Sequence, residues 1–175
     1  VTYGYDKKKI VQNISQLPHI NGRMEKVYNQ EFLALVDYAH SPDSVENALS
    51  FLQEIKKGRL IAIVGCGGDR DKSKRPKMAS VACQKADLAI LTSDNPRTEN
   101  PENILKDMCE GLNYTNYCVI VNRKEAIQKA ISMAQVGDVI AVLGKGHEDY
   151  QEIKGVKYPM DERVLISEVL EELGH

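Results

Sequence analysis

The 175-residue chain is long enough for one well-buried core, because 42% of its residues are apolar. The net charge of −2 comes from charges of both signs, which argues against nucleic acid or an anionic membrane as a partner. No apolar run approaches the roughly 20 residues of a membrane-spanning helix, and the amino terminus lacks a signal-peptide core. We therefore expect a cytoplasmic protein.

The cysteines and histidines carry no recognisable pattern. The four cysteines form no CxxC pair and fall in or beside predicted core elements, which favours buried, reduced thiols. The four histidines have no metal-ligand spacing. No metal site is predicted.

A short helix is predicted over residues 4–17, with Asp6 as its N-cap. Its apolar residues recur at helical spacing: Ile10, Ile14 and Leu17. Because no strand precedes it, we interpret residues 1–22 as the tail of a preceding domain and residues 23–175 as the main domain.

The first predicted buried strand covers residues 32–37. Ser41 and Pro42 suit the N-cap and N1 positions of a helix that continues to Gly58. Asp37 and His40 therefore lie on a strand-to-helix loop, where α/β proteins often bind ligands. The alternative is that they only hydrogen-bond this loop to itself.

The second buried strand, over residues 60–64, opens into GCGGDRDKSKRP. Its glycines allow close approach of a ligand, and its arginines and lysines favour an anionic one. The spacing is neither GxGxxG nor the P-loop GxxxxGK[ST], so a dinucleotide-binding module is a disfavoured alternative. The following helix is predicted to start at Pro76.

The third strand, over residues 88–91, ends in TSDNPR. Asp94, Asn95 and Arg97 project there around Pro96, which stiffens the backbone. A guanidinium can grip a carboxylate, while the aspartate and the asparagine carbonyl can accept from an ammonium. Because an amino acid carries both groups, the loop predicts an amino-acid ligand. The alternative is a capped turn with a solvated arginine.

The rest of the chain continues the alternation of strands and helices. Asn100 and Pro101 begin a helix, residues 118–121 form a strand, and Asn122 caps a helix that Gly137 ends. This alternation predicts an α/β fold with a doubly wound, mostly parallel, Rossmann-like sheet and helices on both faces.

The last predicted sheet strand, over residues 138–143, opens into GKGHEDY. If Lys145 pairs with a phosphate or carboxylate, Glu148 could hold an ammonium; otherwise the loop residues only brace each other. A hairpin over residues 151–158 and a final helix capped by Asp161 complete the chain.

The loops GCGGDRDKSKRP, TSDNPR and GKGHEDYQ, with GRME and DYAHSPD ahead of them, occur in a fixed order. In that order they resemble the carboxyl-terminal domain of the Mur ligases over essentially the whole chain. The resemblance implies an ADP-forming amide ligase that adds meso-diaminopimelate to UDP-N-acetylmuramoyl-L-alanyl-D-glutamate. In relatives, ATP and Mg2+ are bound mainly by a central domain.

The resemblance also implies roles for residues. The residues implied to bind diaminopimelate are Arg70, Asp94, Asn95, Pro96, Arg97, Gly144 and Glu148. Those implied to reach ATP are Arg23 and Asp37, with His40 nearby. Relatives that add lysine typically lack the arginine of DNPR, so Arg97 favours diaminopimelate.

Nothing in the chain matches the family's P-loop, magnesium-ligand or carbamylated-lysine region. We therefore expect no catalytic residue in this chain and no turnover by it alone; its contribution would be orientation and charge complementarity. Three alternatives stay open: a related ligase for another amino acid such as lysine, a dinucleotide-binding module, and a non-catalytic interaction domain that retains the fold.

Overall fold

The computed structural model describes residues 4, 6–15 and 20–175. The strands within these residues are β1 (Glu25–Asn29), β2 (Leu33–Asp37), β3 (Leu60–Cys66), β4 (Leu88–Ser93), β5 (Tyr117–Val119), β6 (Val139–Leu143), β7 (Tyr150–Ile153) and β8 (Val156–Pro159). The helices are α1 (Lys7–Ser15), α2 (Pro42–Ile55), α3 (Lys74–Lys85), α4 (Pro101–Cys109), α5 (Arg123–Ser132) and α6 (Glu162–Leu173).

The main sheet has the strand order β1-β2-β6-β3-β4-β5, and β7 and β8 form a separate hairpin. Strands β2 to β6 of this sheet run parallel, while β1 is antiparallel to β2. The predicted mostly parallel α/β fold is confirmed. The sequence pattern does not predict β1, because residues of this edge strand are only half-buried or exposed.

Helices cover both faces of the sheet and enclose two apolar layers. On one face, α2, α3 and α4 bury side chains such as Leu49, Met78 and Leu105 against the sheet. On the other face, α5 and α6 contribute side chains such as Ile127 and Val169. Strand β3 is buried along its whole length because both layers press on it.

The parallel register brings several strand ends to one edge of the sheet. Asp37 at the end of β2 pairs with Leu143 at the end of β6, and Cys66 at the end of β3 pairs with Ser93 at the end of β4. The loops that follow these strands therefore start close together.

Helices α2, α4, α5 and α6 begin at the polar residues predicted for them. Ser41 accepts from the Ser44 N–H and forms a capping box with it, and side chains of Asn100, Asn122 and Asp161 cap α4, α5 and α6. Each cap satisfies a backbone N–H that has no partner within the helix. The caps at Ser41 and Asn100 set where the loops after β2 and β4 end.

Some predicted boundaries are wrong by a few residues. Helix α3 begins at Lys74, before Pro76. Strand β5 ends at Val119, before the predicted residue 121, although the Val121 carbonyl still accepts from the Ser93 N–H at 3.2 Å. Helices α2 and α5 end before Gly58 and Gly137 are reached.

The amino-terminal helix starts as predicted, because Asp6 accepts from the Lys8 N–H at 2.9 Å. Its predicted end at Leu17, the side chain of Ile14, and His19 lie outside the described residues. The domain boundary near residue 22 stays a prediction.

All four cysteines are free. Cys66 and Cys83 are buried as predicted, whereas Cys109 and Cys118 are only half-buried. Burial raises the pKa of the Cys66 thiol to about 12 and that of Cys83 to about 11. Among the described helices, none has the length and apolar character needed to cross a membrane.

Candidate functional site

A cavity of about 270 Å3 lies where the carboxyl ends of β2, β3, β4 and β6 meet. Of the predicted site residues, it is lined by Arg70, Asp94, Asn95, Arg97, Gly144, Glu148 and His40. Charged groups of both signs thus face one small space. This combination suits a ligand that carries both an ammonium and a carboxylate.

Asp94 follows β4 directly and is buried to 8% exposure. Its Oδ1 accepts from the Asn95 N–H at 2.6 Å. A Cβ on Gly144, whose φ is +123°, would lie 2.7 Å from the other carboxylate oxygen, Oδ2. Gly144 therefore leaves room for the carboxylate of Asp94 between the loops after β4 and β6.

Asn95 and Glu148 are joined by a direct hydrogen bond. The Asn95 Nδ2 donates to Glu148 Oε2 at 2.8 Å, and the buried Lys145 donates to the same oxygen at 3.0 Å. The Asn95 Oδ1 accepts from Lys145 Nζ at 3.1 Å and from the Glu152 N–H at 2.9 Å. The loops after β4 and β6 are thereby tied together below the cavity.

Arg97 has a left-handed backbone, with φ at +52°. The hairpin holds it there, because the Arg97 N–H donates to Glu152 O at 3.0 Å and the Lys154 N–H donates to Arg97 O at 2.6 Å. Its guanidinium donates to Gly68 O at 2.8 Å and lies 3.5 Å from a Glu152 carboxylate oxygen. The strained backbone thus places the arginine against the glycine loop at the cavity wall.

The cationic loop after β3 is braced by a buried arginine. Arg75 is fully buried and donates to both carboxylate oxygens of Glu99, at 2.7 and 3.0 Å, and to Asp107 at 2.7 Å. These bonds and the nearby charge lower the pKa of Glu99 from its ordinary 4.5 to about 2. Because Arg75 is used in this way, the exposed Arg70 and the half-buried Lys74 are the cations of this loop that line the cavity.

The residues predicted to reach ATP lie around the loop after β2. Asp37 is buried, and its two oxygens accept from the Met24 and Ala39 N–H groups, each at 2.8 Å. Arg23 is exposed, with its Cζ 5.0 Å from the centre of the Tyr38 ring. Neither Arg23 nor Asp37 lines the cavity, and their role toward ATP stays a prediction.

Pro96 does not line the cavity that the other residues predicted to bind diaminopimelate share. It lines a larger hollow of about 740 Å3 on the other side of its loop, between the hairpin and the start of α5. Apolar side chains such as Ile153, Tyr158 and Leu165 line this hollow. Of the residues predicted to bind the ligand, only Pro96 reaches it within the described part of the chain.

Three further residues shape the site beyond the prediction. Lys74 and Tyr38 line the cavity, and Lys74 also donates to His40 O at 2.9 Å. The fully buried Arg123 donates to Leu143 O at 2.8 Å and to Ser93 O at 3.3 Å, so it supports the ends of β6 and β4. Lys74 could have been found from the cationic loop, whereas Arg123 follows a helix cap and gives no sequence signal.

The described residues contain no cluster of three or more histidine, cysteine, aspartate or glutamate side chains that could hold a metal ion. The carboxylates, guanidinium groups and ammonium that line the cavity are charges with which an organic ion can pair.

The loops around the cavity belong to a known domain type. The family model described as "Mur ligase, glutamate ligase domain" matches residues 22–146. The chain belongs to the Mur ligase family. The match includes the loops after β2, β3 and β4 and the first part of the loop after β6.

Individual Mur ligases are similar to almost the whole chain. The UDP-N-acetylmuramoyl-L-alanyl-D-glutamate–2,6-diaminopimelate ligase of Aquifex aeolicus is 48% identical over 162 residues, which are 92% of this chain and 34% of that protein. The ligase of the same name from Clostridium botulinum is 48% identical over 173 residues, covering 97% of this chain and 36% of its own length. This chain spans about a third of the curated Mur ligases it matches.

A solved structure of a ligase with that name superposes with a TM-score of 0.85 at 41% identity, covering 99% of this chain and 36% of that one. This chain thus shares its fold with that ligase over almost its whole length.

Proposed function

We propose that this chain is the carboxyl-terminal, amino-acid-binding domain of an ATP-dependent, ADP-forming amide ligase. The full-length ligase would add meso-diaminopimelate to UDP-N-acetylmuramoyl-L-alanyl-D-glutamate in peptidoglycan precursor synthesis, in the cytoplasm. The names of the relatives at 48% identity support this substrate pair.

One observation carries the proposal. The small cavity at the strand ends brings Arg70 and Arg97 together with Asp94 and Glu148. Diaminopimelate has an ammonium and a carboxylate at its distal end, so both signs of charge are needed in one place. A partly enclosed site strengthens such pairing relative to bulk water.

The hydrogen bonds suggest which side chain takes which group. Arg97 uses one guanidinium nitrogen on Gly68 O, and its fork retains further N–H groups for a carboxylate. Asn95 Oδ1 already accepts two hydrogen bonds, so we assign the ammonium to the carboxylates of Asp94 and Glu148. Asn95 then acts by orienting Glu148.

The other substrates would be bound largely outside this chain, since the relatives are about three times its length, with 34% and 36% of their lengths matched. ATP, Mg2+ and the UDP-N-acetylmuramoyl dipeptide would be held mainly by the other domains, with residues 1–22 as the tail of a preceding domain and residues 23–175 as the carboxyl-terminal one. Arg23, Asp37 and His40 would approach ATP from this side.

Two alternatives are less well supported. A dinucleotide site would need free backbone groups in the glycine loop, but the Gly68 N–H donates to Asn95 O at 2.9 Å and Gly68 O accepts from Arg97. A lysine-adding ligase would have no carboxylate for Arg97 at the distal end of its substrate.

The test is ADP release by the full-length protein given ATP, Mg2+ and the UDP-N-acetylmuramoyl dipeptide, with either meso-diaminopimelate or lysine as the added amino acid. We expect release with diaminopimelate and a far lower kcat/KM with lysine. Preference for lysine would overturn the substrate assignment, and no release with either amino acid would overturn the ligase proposal.

The isolated 175-residue chain is proposed to be inactive, because positioning an amino acid does not supply a phosphoryl donor site. The same assay on this chain alone should give no ADP above a protein-free blank. Measurable, amino-acid-dependent ADP release would contradict this.

A further inference from the structure

Lys145 is a fully buried lysine directly below the cavity. Gly144 and Glu148 of the same loop line the cavity, but Lys145 itself does not. Its ammonium lies 3.1 Å from Asn95 Oδ1, 3.0 Å from Glu148 Oε2 and 5.3 Å from the centre of the Tyr150 ring. A buried ammonium is costly unless it is paired, so these contacts account for its place in the fold.

The three side chains form a closed triangle, because Asn95 Nδ2 also donates to Glu148 Oε2 at 2.8 Å. The triangle joins the loop after β4 to the loop after β6 across 50 residues of sequence. An asparagine amide can turn over and exchange its oxygen and nitrogen. Here Lys145 and the Glu152 N–H both need an oxygen at one side, so only the NH2 group can face Glu148.

We propose that Lys145 is a positioning residue for the amino-acid substrate. It holds the Asn95 amide in one orientation and directs the Glu148 carboxylate toward the cavity, where that carboxylate meets the substrate ammonium. This inference rests on the proposed function and extends it, because Lys145 sets affinity for the amino acid without contact with it. The sequence left two interpretations of Lys145 open: pairing with a ligand phosphate or carboxylate, or bracing of the loop. Its hydrogen bonds to Asn95 and Glu148 agree with the second.

A positioning role predicts a selective kinetic effect in the full-length ligase. Lys145→Met keeps most of the side-chain length and removes its charge, so Glu148 loses its cation and Asn95 Oδ1 loses one of its two hydrogen-bond donors. We expect the KM for meso-diaminopimelate to rise about 10- to 100-fold, as for a misplaced contact group. The KM values for ATP and the UDP-N-acetylmuramoyl dipeptide should stay unchanged.

Lys157→Met is the matched control. Lys157 is exposed and its ammonium lies 4.0 Å from the centre of the same Tyr150 ring, but it has no bond to Asn95 or Glu148 within the described structure. This variant should have wild-type kinetics for all three substrates. A rise in all three KM values in Lys145→Met would indicate a general structural role and overturn the proposal, as would an unchanged KM for diaminopimelate.

A double variant keeps the test decisive if Lys145→Met does not fold. Lys145→Met/Glu148→Gln leaves no unpaired charge in the triangle, and its loss in kcat/KM should be close to that of Glu148→Gln alone, because Lys145 acts through Glu148. If the double variant instead had a clearly lower kcat/KM than Glu148→Gln, Lys145 would act independently of Glu148 and the proposal would be refuted. If the wild-type ligase does not use diaminopimelate at all, the proposed function fails; if it does and Lys145→Met behaves normally, only this inference fails.

Discussion

A Cβ atom on Gly68 would lie 2.0 Å from the carbonyl oxygen of Pro96. The glycine loop after β3 and the DNPR loop after β4 therefore touch backbone to backbone. The Gly68 carbonyl also accepts from the Arg97 guanidinium at 2.8 Å. Any side chain at this position would push the two loops apart and move Arg97 relative to the cavity.

Gly68→Ala should lower the free energy of unfolding of this chain by about 1–3 kcal/mol through overpacking. It should also raise the KM of the full-length ligase for meso-diaminopimelate, because Arg97 is displaced. Urea unfolding and steady-state kinetics measure the two effects. Gly111→Ala is the control: its φ of +70° costs about 1 kcal/mol with an alanine, but nothing lies within 4 Å of the added Cβ. If both variants kept normal kinetics, Gly68 would matter for folding only.

Arg97→Ala should separate the two amino-acid substrates in the full-length ligase. Loss of a charged, bidentate carboxylate contact should cost about 2–4 kcal/mol in kcat/KM for diaminopimelate. The kcat/KM for lysine should stay the same or improve, since lysine has no distal carboxylate. Equal losses for both substrates, or none for either, would mean that the DNPR loop does not read the distal carboxylate.

The Arg123–Glu162 pair supports the strand ends from below and is fully buried. Burial raises the pKa of Glu162, although the Arg123 charge opposes this, and Glu162 Oε2 has no hydrogen-bond partner among the described residues. Arg123→Met would leave this carboxylate unpaired and should destabilise the chain by about 3–5 kcal/mol. The urea midpoint of unfolding measures this loss.

Arg123→Met/Glu162→Leu provides the comparison for that variant. Because the double variant buries no charge, it should recover a large part of the lost stability, as other buried pairs replaced by apolar side chains do. Additive losses in the two positions would contradict the interpretation that an uncompensated charge causes the effect.

The sequence predicts the buried strands well where a local apolar pattern decides them. Continuous apolar runs give β3, β4 and β6, and the polar residues after them gather at one sheet edge as expected. Contacts between distant loops are not encoded in such patterns. The burial of Lys145 depends on Asn95, which is 50 residues away, and the support from Arg123 depends on Glu162, which is 39 residues away.

Asp37 illustrates the same limit. Its position at the end of β2 is predicted, but its bond to the Met24 N–H depends on a turn 13 residues earlier that the periodicity does not reveal. Strand β1, which follows that turn, is not predicted for a similar reason: a strand is recognised from one clearly buried face, and β1 has none.

The Arg75–Glu99 pair predicts how stability changes in acid. In the folded chain the pKa of Glu99 is about 2, against an ordinary 4.5. The unfolded chain therefore takes up a proton at higher pH than the folded one. The stabilisation is fully present above pH 4.5 and is lost as the pH falls toward 2. Since the Glu99 side chain is partly exposed, at 18%, we expect its pH-dependent contribution to the free energy of unfolding to be about 1 kcal/mol.

Glu99→Gln should be less stable than the wild type at neutral pH, because the buried Arg75 guanidinium loses a charged partner. Between pH 4.5 and 2 its free energy of unfolding should fall less steeply, so the two stability curves converge. Urea unfolding across this range measures the slopes. Glu171→Gln removes an exposed carboxylate from α6 and should run parallel to the wild type. A Glu99→Gln curve that also stayed parallel would show that Arg75 does not hold Glu99 ionised in acid.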